Sequence, residues 1–186
     1  MEPESQLKLI SMDYILRPVR VVFLATPEDP IPTPGGPVRV RKGDEIELPR
    51  WQAKLLAESG MVEVRDEPID LDTVNMFHYR EKRRTGANQL TPLPQDFYPK
   101  AFELVERLDR LIRERPYHML LRDREILEKN LIELSETRLA KIIRLAMTEE
   151  GGVRERLTPE ETIVYDRILA TIRSWRDYVK KPFKQG

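Results

Sequence analysis

The sequence predicts an α+β protein in which a small N-terminal β-rich domain with one helix precedes a larger all-α helical bundle domain. Three observations carry this reading. Short alternating apolar runs punctuated by turn residues crowd the segment before residue 65. Apolar residues at helical spacing fill the segment from Phe97 to Val179. A polar stretch containing Gly86 separates the two. The expected divisions are a β-rich domain at 1–65, a connector with a short helix at 66–89, and a helical domain at 90–186.

In the first domain, Val19, Val21 and Phe23 alternate within Arg17–Leu24 and predict a strand with one buried face. Five prolines between Pro27 and Pro37 remove amide donors and disfavour both a helix and a central strand, so an ordered but irregular loop is expected there. Val38–Arg41 and Glu45–Leu48 read as two short strands around the turn residues Lys42, Gly43 and Asp44. Pro49 suits the first position of a helix, with Trp51, Leu55 and Leu56 on one side and Gly60 as its left-handed stop. Met61–Val64 returns as a strand. So small a domain has little core of its own.

Asp72 to about Arg84 is acidic at its start and basic at its end, as a short helix favours, and Gly86-Ala87-Asn88 permits a bend after it. Phe97, Ala101, Leu104, Val105, Leu108, Leu111 and Ile112 follow helical spacing until Pro116. A second helix, Asp123–Met147, carries apolar residues around about half its circumference, wider than the ~100° stripe of a one-sided helix. Such a helix is central to its bundle or meets a partner. Thr158-Pro159-Glu160-Glu161 spells a capping box at a third helix start. Val164, Ile168, Leu169, Ile172, Trp175 and Val179 form its expected inward side, with Ile163 off that stripe.

Composition narrows the function. The chain has 32 basic and 32 acidic residues, and its three segments carry net charges of −1, −1 and +2. No segment has the basic excess of a dedicated nucleic-acid binder. The local cluster Arg80, Lys82, Arg83 and Arg84 is the one place where phosphate contact suggests itself. Cysteine is absent, so disulfides and thiolate chemistry are excluded. Scarce Asn and Gln with abundant charge lean towards a thermophile. The first residues resemble neither a signal peptide nor a membrane span, and an intracellular, cytoplasmic protein is expected.

Catalytic machinery is not legible. His78 and His118 stand apart without metal-ligand spacing, and Gly35-Gly36 and Gly151-Gly152 make no phosphate-binding loop. Ser59, Ser135 and Ser174 sit at a helix end or within helices, and the carboxylates alternate with Arg and Lys as exposed ion-pair faces do. Neither enzymatic activity nor a cofactor or metal is expected.

The order of the modules is informative. Gly43–Trp51 with Ala53, Leu55 and Gly60 resembles the small β domain of GINS replication-factor subunits. Leu93-Pro94, Phe97-Tyr98, Arg138-Leu139-Ala140-Lys141-Ile142, Leu157–Glu161, Tyr165 and Trp175-Arg176 resemble that family's helical domain. The β domain coming first is similar to the second and third eukaryotic subunits and to the archaeal subunit that stands for both. The resemblance implies a non-enzymatic scaffold, nucleoid-associated or, in a eukaryote, nuclear. It implies pairing with a second GINS subunit of opposite domain order, as a tetramer with two copies of this chain. It further implies bridging of the MCM helicase to a Cdc45/RecJ-like protein, with weak or indirect DNA contact. Interface residues are expected at Trp51 in the β domain and at Leu139, Ile143, Ile163 and Tyr165 in the helical domain. The alternative is a nucleic-acid-binding regulator acting through residues 80–84.

Overall fold

The computed structural model describes residues 2–84, 86, 89–149 and 151–184. Ala87 and Asn88, expected at a bend, lie outside the described residues. The chain divides into two compact units, residues 8–68 and residues 69–186, the second taken together with residues 1–7. Helix α1, Pro3–Leu16, was not foreseen. Its apolar residues point to all sides, leaving Leu9, Met12, Ile15 and Leu16 exposed, so no 3.6-residue stripe announces it.

The β-rich unit is a three-stranded antiparallel sheet in the order β4-β1-β5, with β1 (Pro18–Phe23) between β4 (Glu45–Pro49) and β5 (Val62–Val64). Val21 lies opposite Ile46 on one side and Val64 on the other. The expected alternation holds: Val19, Val21 and Phe23 are buried, and they join Leu48, Ala53 and Val62 in one cluster. Gly43, at φ +93°, makes the turn that returns its amide to the Phe23 carbonyl at 2.8 Å. Gly60, at φ +73°, stops α2 (Arg50–Glu58) in the left-handed conformation.

Several expectations fail in this unit. The proline-rich stretch is a hairpin, β2 (Ile31–Thr33) against β3 (Gly36–Val38), and Val38 pairs back to Ile31 instead of opening a strand towards Arg41. The reason lies in the register, which sets Pro32 opposite Pro37. An antiparallel ladder alternates pairs that exchange hydrogen bonds with pairs that do not, and two facing prolines fit the second kind. The Gln52 amide then donates to the Pro32 carbonyl at 2.7 Å, tying the hairpin to α2. Helix α2 is also rotated from the expected face. Gln52 and Ala53 turn inward with Leu56 and Ala57 at the margin, while Trp51 and Leu55 are 46% and 58% exposed. Pro49 caps this helix from the last position of β4 and does not enter it.

The helical unit comprises α3 (Leu71–Arg83), α4 (Phe97–Glu114), α5 (His118–Thr148) and α6 (Pro159–Lys180). Asp70 caps α3, accepting from the Thr73 amide at 2.8 Å and its hydroxyl at 2.6 Å. Helices α3, α4 and α6 all pack on α5, whose 31 residues span roughly 46 Å. The bundle-core reading of that helix is therefore correct for most of its apolar surface. Helix α5 starts earlier than expected, directly after Pro116, which breaks the chain without delaying the next helix.

Two apolar clusters sit along α5. Leu127 and Leu134 join Val74, Phe77, Leu93, Phe97, Leu104 and Leu108 in one, where Phe77 meets Phe97 edge-on at 5.4 Å. Ile142, Leu145 and Ala146 join Leu90, Val153, Leu157, Tyr165 and Leu169 in the other. The capping box of α6 is present as expected, with Thr158, Pro159 and Glu161 in their roles. Its expected inward stripe is only half realised. Leu169 is buried and Ile168 and Ile172 flank the core, but Trp175 and Val179 are 64% and 46% exposed because α6 runs on past the cluster. Among the described residues, no helix is long and apolar enough to cross a membrane.

Candidate functional site

Between the two apolar clusters α5 turns two cations inward. Arg138 is fully buried and Lys141 is 7% exposed, facing Glu81 of α3, fully buried, and Glu161 of α6, 6% exposed. Arg138 grips Glu161 with both arms of its fork, Nε to Oε1 at 2.6 Å and Nη2 to Oε2 at 2.7 Å. Its Nη1 donates to Glu81 Oε2 at 3.1 Å and to the Thr91 carbonyl at 2.6 Å, and Nη2 also reaches the Arg156 carbonyl. The Lys141 ammonium donates to Glu81 Oε1 and to the carbonyls of Glu81 and Gln89.

The carboxylates are equally well supplied. Glu81 Oε2 also accepts from the Thr91 amide at 2.8 Å, and Glu161 Oε1 from the Tyr98 hydroxyl at 2.9 Å. Glu161 Oε2 accepts from the Thr158 amide, so the capping carboxylate and the Arg138 partner are one and the same group. The hub joins α3, the segment 89–91, α5, the turn at Arg156 and the start of α6 through two cations and two anions. Such burial is tolerable only because every charge is both paired and hydrogen-bonded.

The protonation states follow from this geometry. Burial pushes the Glu81 carboxyl upward, but the Lys141 hydrogen bond, the Thr91 amide and the two nearby cations outweigh it and hold it below the ordinary value. Burial disfavours the Arg138 cation, yet the bonds and charge of Glu161, with Glu81 behind, hold its pKa above the ordinary arginine value. Burial and then the Glu161 charge drive the Tyr98 phenol strongly upward, so it remains a donor. Glu81 and Arg138 are thus held in their charged forms and Tyr98 in its neutral form.

The remaining expected site residues scatter. Leu139 and Ile143 lie one turn apart on α5, 41% and 39% exposed, and Met147 extends their stripe at 55%. Ile163 is half-buried. Tyr165 is 4% exposed and belongs to the second core cluster. Trp51 is exposed in the β-rich unit. Of the basic cluster, Arg80 is exposed, Lys82 lies 3.5 Å from Glu133, Arg83 donates to the Tyr79 hydroxyl over the same ring, and Arg84 donates to the Leu90 carbonyl. His78 meets Glu133 at 3.0 Å, and His118 opens α5 on the surface. Among the described residues, no group of three or more His, Asp or Glu is placed to hold a metal.

Sequence reasoning treated the charges of α5 as an exposed ion-pair face and missed the hub. A signal was available. Leu127, Leu131, Leu134, Arg138, Lys141 and Leu145 recur at alternating spacings of four and three, so the two cations occupy positions on an otherwise apolar seam. Val74, Phe77 and Glu81 repeat the pattern on α3.

Helices α3 to α6, keyed to one another on α5, constitute a helical-bundle domain distinct from the β-rich unit. The family model of the GINS complex protein helical bundle domain matches residues 69–180, from just before the α3 cap to the last residue of α6. The chain belongs to that family, which gives it a role in the GINS replication complex and assembly with other GINS subunits. No curated protein matches as a relative.

Proposed function

We propose that the chain is a non-enzymatic scaffold subunit that pairs through its helical domain with a GINS subunit of opposite domain order, two copies of each forming a tetramer. The assembly bridges the MCM helicase to a Cdc45/RecJ-like protein and activates unwinding. The observation that carries this reading is the outward stripe Leu139, Ile143 and Met147 on the central helix of a family-matched bundle. Three large apolar residues at one-turn spacing on a well-anchored helix suit burial against another helix. Half-buried Ile163 on α6 is taken as a further contact, and Trp51 as the contact of the β-rich unit. Tyr165, being in the core, supports the interface from beneath. The alternative of a nucleic-acid-binding regulator draws little support, since Lys82, Arg83 and Arg84 are each engaged within the chain.

The test is the solution mass of the full chain, alone and after co-expression with GINS and MCM proteins of its own source, by light scattering on a sizing column. A salt-resistant tetramer with two copies of this chain is the expected result. A persistent monomer that ignores those partners would sink the reading.

A further inference from the structure

A charge on an apolar seam occurs twice on α5, once inside with Arg138 and Lys141 and once outside. On the outward side Ile132, Glu136, Leu139 and Ile143 recur at spacings of four, three and four, and Met147 continues the line. The four apolar members are between 39% and 55% exposed, and Glu136 among them is exposed as well. The inward cations each meet a carboxylate within the chain. Glu136 does not meet a cation. Among the described residues no hydrogen bond or ion pair engages its carboxylate. Its neighbours one turn away along α5 are Ile132, Glu133, Leu139 and Ala140, none of them basic. In the separate chain this is harmless, because water solvates the carboxylate.

Assembly changes its surroundings. A subunit that covers the stripe takes Glu136 out of water together with its apolar neighbours. A buried carboxylate is tolerated only when a cation meets it and hydrogen bonds satisfy its oxygens. The chain supplies neither at this position, so the covering surface has to. We infer that Glu136 is a specificity-determining contact that receives a cationic side chain from an otherwise apolar helix face of a partner GINS subunit. This rests on the scaffold reading and adds to it the chemistry of the partner surface. Arginine fits best, because its planar fork matches both carboxylate oxygens. A second copy of this chain is the poorer occupant, since its own stripe presents Glu136 again and no cation. One charge on an apolar seam fixes register and rejects a partner that brings only apolar side chains to it.

The experiment is calorimetric titration of the full chain with a purified GINS subunit of its own source. Glu136→Gln should weaken assembly at least about tenfold, and Glu136→Lys by more, since it sets two cations face to face. Neither variant breaks a side-chain bond within the chain, and their thermal melts should match the unsubstituted protein. Single Arg→Glu and Lys→Glu changes across the helical domain of the partner give the decisive readout. One of them should restore assembly with Glu136→Lys while weakening it with the unsubstituted chain. Ile143→Asp is the control for the face itself. Full-strength assembly of both Glu136 variants, with Ile143→Asp weakened, overturns this inference and leaves the scaffold reading standing. A loss in the Glu136 variants that no partner substitution restores also overturns it. Full-strength assembly of all three variants removes the α5 face from the interface and overturns the inference together with that part of the scaffold reading.

Discussion

Arg138 and Glu161 face each other side-on inside the helical unit, two parallel hydrogen bonds of 2.6 and 2.7 Å joining α5 to the first turn of α6. Glu161 is also the closing residue of the α6 capping box. One carboxylate therefore sets where α6 begins and how it meets α5.

Removing the arginine should be costly. Arg138→Met leaves Glu161 buried without its cation and Glu81 with Lys141 alone, and a loss of about 3–5 kcal/mol is expected. Urea unfolding of the full chain near neutral pH measures it. A loss under about 1 kcal/mol would show that the carboxylates find water or another partner.

The hub should also give the protein an acid limb. The Glu81 carboxyl is held below its ordinary value of 4.5, so its contribution is complete above that pH and is lost as pH falls through the depressed folded-state value. Glu81→Gln should lower the melting temperature near neutral pH and flatten its fall under acid. Asp70, Glu133 and Glu149 are lowered as well, so some acid sensitivity should persist in the variant. Parallel melting curves against pH for variant and unsubstituted protein would contradict the assignment.

The cap can be separated from the charge. Thr158→Ala removes the oxygen that accepts from the Glu161 amide and should cost about 1–2 kcal/mol, whereas Thr158→Ser should restore nearly all of it. Chemical denaturation of the three proteins decides between a cap and a merely buried threonine.

Surface and core should part company on α5 and α6. Ile143→Asp sits 39% exposed and should leave the melt almost unchanged while weakening assembly with partner subunits tenfold or more, as about 1.4 kcal/mol or more at a contact requires. Tyr165→Ala should do the reverse in order, costing the chain itself about 3–5 kcal/mol through the cavity it leaves. Melting curves and co-purification of both variants provide the comparison. An Ile143→Asp chain that still assembles at full strength would remove α5 from the interface.

The parts legible in the sequence were those governed by local rules. Alternation placed β1, Gly60 placed the end of α2, and the Thr158 and Glu161 pair placed the start of α6. Tertiary context decided the rest. Pro32 and Pro37 look like breakers one at a time and become compatible only when they face each other across a hairpin. Trp51 looks like an anchor because it is large, but the smaller Ala53 is what α2 turns towards the sheet. Arg138 and Lys141 look solvated because they are charged, and their burial depends on Glu81 and Glu161, 57 and 23 residues from Arg138 along the chain. Periodicity registers which residues share a face, and only packing determines whether a charge on that face finds its opposite.

The hub has a consequence for how such a chain can diverge. Losing one member of a buried, paired set costs about 3–5 kcal/mol, against a typical total stability of about 5–15 kcal/mol. A lineage that alters Arg138 alone falls towards unfolding before any second change can rescue it. Exchange of the whole set for apolar residues, by contrast, can be neutral or stabilising. Residues on the outer face of α5 can change one at a time without unfolding the chain, while the charges within can depart only in concert.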